Sequence, residues 1–277
     1  MARLGFADEV LVLDMESSDD TARTASRHGA RVVRVPAEPF VERVRNVVLE
    51  CADGADWVVL VDPDERVSSR FGSQLRPILE QTDASVACYR VAIPVVAFGR
   101  RLERGLNGTA GGAIRVVRPD RVRWSDVASA HDEPIVVGDV GDLVGYVDPI
   151  ENHAFRSMPQ FIDKLARYTS SNDEAVSSVD RLDMGAAVRH AFRLYVRQEA
   201  WRDGLPGVVA ASFVVIEAWL RDCSAWEARG YPKIEMARPK KATLVSLLAL
   251  LRYSDRVRRR AHRDAHRYWR LIVGTAS

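Results

Sequence analysis

The sequence is short of cysteine and of long apolar runs. Cys51, Cys88 and Cys223 are its only cysteines, odd in number and far apart. They form no CxxC pair and no Cys/His spacing of a zinc site, so neither a disulfide scaffold nor a structural zinc domain has a basis. Free thiols in a reducing cytoplasm are the expectation. No stretch reaches 18 consecutive apolar residues, so no spanning helix is expected. The opening MARLGFADEV holds no apolar h-region, so no signal peptide is expected. A charge excess is missing too. Forty Lys and Arg face 38 Asp and Glu, for a formal net charge of +2. That balance gives no reason to expect nucleic acid as a partner.

What is present is a core. Apolar residues make up 47% of the 277 positions, enough for one large domain or a domain with an appendage, and too many for a disordered chain. The charge is unevenly spread. Between Lys240 and Arg270 lie ten Lys and Arg against two Asp, a local +8, which leaves about −6 for the rest.

Patterning predicts an alternation of strands and helices. DEVLVLD (8–14) and RVVRV (31–35) read as strands flanking a helix that Ser17 or Ser18 can cap, with Asp19 and Asp20 in its first turn and Gly29 at its end. From Phe40 to Ala52 the apolar positions keep a helical period, and Gly54 closes that helix. WVVLV (57–61) is a third strand. Strand, helix, strand, helix, strand predicts parallel crossovers and an open α/β sheet, whose ligands bind beyond the carboxyl ends of strands. A helix near 70–81, one long strand over 85–96, a glycine-rich polar loop, a strand over 113–119 and a short hairpin or paired strands over 135–148 follow. Beyond Met158 the strands stop and helices are expected near 158–178, 184–201 and 205–229.

The third strand runs into three carboxylates, Asp62, Asp64 and Glu65, in the string WVVLVDPDE. Crowded like charges repel and are costly to desolvate. Either they face water or a cation sits among them. A D-x-D at a strand end can hold a hard divalent cation, which can bind a diphosphate and neutralise a departing phosphate. The tripeptide alone arises often by chance, and a solvated acidic turn is the alternative.

The string in context carries more. DEVLVLDMESSDDTARTASRHGARVVRV, Arg45–Asn46 and ADWVVLVDPDERVS resemble the family 2 glycosyltransferases with the type-A fold, nearest to the lipopolysaccharide-core glucosyl- and heptosyltransferase subgroup. The order continues with His131–Asp132–Glu133, His153, KLARYT (164–169) and RDGLPG (202–207), and the resemblance covers about residues 8–220. It implies a three-layer, mostly parallel, Rossmann-like sheet with a helical C-terminal extension. The division is a nucleotide-sugar-binding domain over 1–157, a helical acceptor-side region over 158–230 and a basic amphipathic tail over 231–277. It also implies metal-dependent, inverting transfer of a sugar from a nucleotide diphosphate sugar to a hydroxyl, with Mg²⁺ or Mn²⁺ as cofactor.

The resemblance assigns roles residue by residue. Asp14 would read the base or ribose, the alternative being a strand-end Asp that caps its own turn. Arg45 and Asn46 would contact the donor. Asp62 would face ribose and metal, Asp64 would bind the metal, and Glu65 would support them. His153 would complete the metal or diphosphate site, unless it is a satisfied structural histidine. Asp132 would be the base that deprotonates the acceptor, with Glu133 as substitute. Arg202 would contact acceptor or phosphate, while Asp203 could instead simply cap a helix.

Family members begin with an earlier strand and helix that this sequence does not show ahead of Asp8. A start further upstream, a partner that supplies the sheet edge, or a weakly active relative would each account for it. Two rival functions remain: an inactive relative serving as a binding or scaffold subunit, and a sugar-phosphate nucleotidyltransferase. ATLVSLLALL (242–251) followed by RVRRRAHRDAHRYWR is too short to span, and would lie in a membrane interface or pack as a helix with a solvated basic face. The former places the protein on the cytoplasmic face of a membrane, beside a glycolipid or small glycoside acceptor.

Overall fold

The computed structural model describes residues 2–38, 40–52, 54–104, 106, 112–126, 132–170 and 189–231. The tail beyond 231, His131, residues 171–178 of the helix expected over 158–178 and residues 184–188 of the one expected over 184–201 lie outside them. The chain divides into two compact units, Met1–Val96 with Thr109–Ala154, and Ala97–Gly108 with Phe155–Ser277.

The first unit is mixed α/β. Strand β1 (Leu11–Asp14) pairs in parallel with β2 (Arg31–Arg34) across helix α1 (Thr21–Arg27), as the alternation predicts. Helix α2 (Arg45–Cys51) is entered through a 3₁₀ turn at Val41–Val44, so the expected helix from Phe40 is tighter in its first half. Strand β3 is only Val58–Val59, followed by β4 (Glu65–Arg66), α3 (Phe71–Glu80), β5 (Val86–Val91) and β6 (Val95–Ala97). The long strand expected over 85–96 is therefore two, broken ahead of Val95 where Pro94 withholds a donor. After β7 (Arg100–Arg101), a strand of the second unit, come β8 (Ala113–Val117), β9 (Val122–Arg123), β10 (Ile135–Val136), β11 (Asp139–Asp142) and β12 (Glu151–Phe155).

The central sheet is not the mostly parallel one expected. Its order is β11-β5-β8-β3, and β8 runs antiparallel to both β5 and β3. Only β11 lies parallel to β5, and β1–β2 form a separate pair. The reason is the connection. A parallel return needs a crossover of a dozen residues or more, usually a helix. The described part of 92–112 carries the short strands β6 and β7 instead, so the chain re-enters antiparallel. The hairpin or strand pair expected over 135–148 is also corrected, because its two strands pair elsewhere. β10 pairs with β9, and β11 pairs with β5. Gly138, at φ 134°, makes that switch; a Cβ there would lie 2.7 Å from the Ser85 carbonyl oxygen.

Alternation along β5 separates two cores. Tyr89 and Val91 pack with Val116, Phe71 and Leu75 of α3, Val67, Leu143 and Ile150. Cys88 packs on the other side with Ile114, Val117, Leu49 of α2, Leu60 and Trp124. Helices thus cover both faces and leave the strand ends as the place for polar chemistry.

The second unit is mainly helical. It contains α4 (Met158–Ser170), a π turn at Arg193–Arg197, a 3₁₀ turn at Ala200–Asp203 and α5 (Gly204–Ala228). Phe155, Phe161 and Phe213 form its aromatic centre, with centroids 4.9–5.5 Å apart. Ala200–Ala228 is long and apolar enough to cross a membrane by length and composition alone, a test that a buried core helix also passes. Counting unbroken apolar runs missed it because Glu217 and Arg221 interrupt the run; they pair with each other one turn apart. Its Ala210, Ala211 and Phe213 are buried in the unit.

Candidate functional site

Pro63 pre-sets a tight turn after β3, and the turn closes on itself. The Glu65 N–H donates to the Asp62 carbonyl at 2.9 Å, and the Asp62 N–H donates to Glu65 Oε2 at 2.8 Å. The cations among the carboxylates are two arginines of this chain. Arg45 Nη2 donates to Asp62 Oδ1 and Oδ2 at 3.1 and 3.2 Å. Arg115 Nη2 donates to Asp62 Oδ2 at 3.0 Å and to Glu65 Oε1 at 2.7 Å. Arg45 also lies over the Trp124 ring, 5.4 Å from its centroid.

The cluster is buried. Side-chain exposure is 6% for Arg45, 11% for Arg115 and 0% for Glu65, and Asp62 keeps 23%. Burial pushes the Glu65 carboxyl up, against the pull of Arg115. Burial also pushes Arg45 down, with Asp62 opposing and Arg115 adding repulsion. Arg115 faces the same desolvation, but Glu65 and Asp62 together hold it above its ordinary value. The difference follows from partner number: Arg115 meets two carboxylates, Arg45 chiefly one.

Asp64 and His153 come together through the backbone. The His153 N–H donates to the Asp64 carbonyl at 2.7 Å, next to the β4–β12 pairing of Glu65 with Asn152. His153 Nε2 lies 3.4 Å from Glu151 Oε2 and makes no hydrogen bond. Asp14 closes its own turn at the end of β1. Its Oδ1 accepts the Ser17 N–H at 3.0 Å, and its Oδ2 lies 3.6 Å from Arg34 Nε. The Ser17 hydrogen bonds hold its carboxyl below the usual range, against burial and aided by Arg34.

Asn46 is placed otherwise than expected. Its Nδ2 donates to the Trp124 carbonyl and its Oδ1 accepts the Trp124 N–H, each at 2.9 Å and buried. The amide is spent on holding the segment after β9. Glu133 is exposed and grips Arg90 at 2.6 and 2.8 Å, which holds its carboxyl down. Asp132 is exposed beside it. Arg202 belongs to the second unit and pairs with Glu199 at 2.9 Å.

Sequence reasoning missed Arg115. The available signal was an arginine inside the apolar strand AIRVV, which could be buried only if a carboxylate met it. It also missed Asn152, whose Oδ1 is buried without a partner.

A divalent cation finds no ready cage here. Among the described residues no three His, Cys, Asp or Glu side chains gather to hold one, and both oxygens of Asp62 are engaged by guanidinium groups. One carboxylate with diphosphate oxygens and water is, however, a common magnesium site.

Comparison with known proteins points the same way as the motifs. No protein-family model matches the chain. It is similar to an uncharacterized glycosyltransferase of Rickettsia typhi, 25% identical over 170 residues, and to one of Rickettsia prowazekii, 35% identical over 170 residues. Each match covers 59% of this chain and 57% of that protein. A third, from Rickettsia conorii, is 37% identical over 71 residues, 26% of this chain and 24% of the relative. The chain thus spans little more than half the length of the relatives it matches best in extent, and it is a distant relative of proteins named glycosyltransferases.

Proposed function

We propose that the first unit binds a nucleotide diphosphate sugar and that the protein transfers the sugar to an acceptor hydroxyl with inversion, as a type-A, family 2-like glycosyltransferase. The observation that carries the reading is a set of buried polar atoms without hydrogen-bond partners. Asp14 Oδ2, Arg45 Nε, Arg115 Nε, Asn152 Oδ1 and His153 Nε2 are the ones in this unit among the described residues. Buried polar groups are normally satisfied. Four of the five belong to the Asp62–Glu65 neighbourhood or the strand paired with it, and the fifth ends β1. A polar ligand at the strand ends accounts for such a concentration.

In this reading Asp14 contacts the nucleoside, and Asp64, with His153 nearby, holds Mg²⁺ or Mn²⁺ on the diphosphate. The cation would neutralise the leaving diphosphate. Arg45 and Arg115 fix Asp62 and add positive charge to the same place. Asp132 takes the acceptor proton, Glu133 being tied to Arg90. The local +8 of the tail supports a position on the inner face of a membrane, near a glycolipid acceptor.

The test is release of nucleoside diphosphate from a panel of UDP-, GDP-, dTDP- and ADP-sugars with Mn²⁺. Release that Asp64→Ala abolishes is the expected result; no release from any donor by folded protein overturns the reading. One observation favours a second reading, a binding or scaffold relative. Asp62 is already neutralised by two arginines, as in a purely structural ion network. That reading expects nucleotide binding without turnover, or neither.

A further inference from the structure

Asp203 stands at the N-cap position of α5 yet makes no side-chain cap bond. Its carboxylate reaches across the second unit instead. Oδ1 accepts the Glu103 N–H and Oδ2 accepts the Arg104 N–H, both at 2.9 Å. Asp203 is 3% exposed, so these two charge-assisted bonds are what make its burial tolerable. Two consecutive amides held by one carboxylate fix the peptide plane between them, and with it the direction in which Arg104 leaves the chain.

The two glycines of RDGLPG serve the same construction. Gly204 adopts φ 69° and ψ −153°, a region essentially restricted to glycine. A Cβ on Gly207 would overlap the Ala200 carbonyl oxygen and the Asp203 Cβ. The motif thus brings the 3₁₀ turn, Asp203 and the first turn of α5 into close approach. Its product is a pair of arginines on one acid. Arg202 Nη1 lies 2.9 Å and Arg104 Nη1 3.8 Å from Glu199 Oε2. Both guanidiniums stay about half exposed, at 50% and 52%. Each has five N–H donors and one shared acceptor oxygen here, so both keep donors turned to solvent.

We propose that Asp203 is a positioning residue, which sets Arg104 opposite Arg202 across Glu199 as a recognition edge for a phosphate-bearing sugar. The phosphate preference does not rest on the transferase reading above. Guanidinium pairs suit phosphate because their donors match its oxygens two at a time.

The experiment is equilibrium binding of glucose 6-phosphate and of glucose to the full chain, by saturation-transfer NMR, for wild type, Arg104→Ala and Asp203→Asn. Asparagine can accept from one of the two amides only, so the peptide plane is released. Wild type should prefer the phosphate sugar by roughly fivefold or more, as one charge-assisted contact implies. Both variants should lose that preference, and Asp203→Glu should restore part of it. Nucleotide binding, a property of the other unit, should stay unchanged, which separates failure here from failure of the transferase reading. Equal binding of the two sugars by wild type overturns the proposal. So does an Asp203→Asn protein that keeps the preference which Arg104→Ala loses. Arg104 is exposed, so its variant tests the edge even where Asp203→Asn does not fold.

Discussion

Replacing Arg115 by methionine removes the only cationic partner of Glu65 among the described residues while keeping the length of the apolar stem. Glu65 has 0% side-chain exposure, and its remaining contact in the turn is the Asp62 N–H. Breaking a buried ion pair from one side costs about 3–5 kcal/mol, because the other charge stays behind. Asp62 keeps Arg45, which places the expected loss near the low end, about 3 kcal/mol. At about 2–4 °C per kcal/mol for a protein of this size, the melting temperature should fall by roughly 10 °C. The pH dependence is a second signature. Burial already raises the Glu65 pKa and Arg115 restrains it, so the variant raises it further. A carboxyl whose folded pKa lies above its unfolded one contributes stability that is full below the unfolded pKa and lost as pH rises through the folded one. The deficit of Arg115→Met should therefore shrink as pH falls toward the ordinary glutamate range. Adding Glu65→Gln should recover more than half of the loss at neutral pH, since no charge is then stranded. Thermal melts of the three proteins across pH decide it. A loss under about 2 °C for the single variant, or a double variant no better than it, refutes the buried-network account.

Asn46→Ala should cost about 2–3 kcal/mol in denaturant melts, since it strands the buried N–H and C=O of Trp124. Glu133→Gln should change stability by no more than about 1 kcal/mol, its pair with Arg90 being largely exposed. In transfer assays Asp132→Asn should lower turnover about 10²–10⁴-fold while Glu133→Gln lowers it far less; the reverse order would move the base to Glu133. Gly207→Ala should destabilise by about 1–3 kcal/mol, because the Ala200 carbonyl occupies the space of the new methyl group.

The elements that local pattern governs were legible. The β1–α1–β2 unit and α3 follow from strand alternation, helical period and turn residues within short windows. What failed was decided at a distance. The direction of β8 depends on whether the chain between 92 and 112 makes a helix, and the splitting of 85–96 depends on one proline. In the site, the strand-end carboxylates could be located because charges that end a buried run are conspicuous. Their partners could not be located so easily. Arg115 lies fifty residues from Glu65 in sequence, and only the antiparallel placement of β8 beside β3 brings it there. Asn46 shows the opposite limit. Its position next to Arg45 suggests a shared ligand, but successive helical residues point in different directions, and the amide faces Trp124 instead. Local grounds allow Asp203 as a helix cap, whereas its carboxylate bonds go to residues about a hundred positions earlier.

The central claim is that the strand ends of the first unit receive a nucleotide diphosphate. Calorimetric titration of UDP, GDP, dTDP and ADP with and without Mn²⁺, on the whole chain and on Asp64→Ala, tests it most directly. Binding of one nucleotide that needs Mn²⁺ and is lost in Asp64→Ala is the result the account requires, and it names the base. Failure of every nucleotide to bind a chain shown by its melting transition to be folded would contradict it, and would leave the arginine–carboxylate cluster as a structural device.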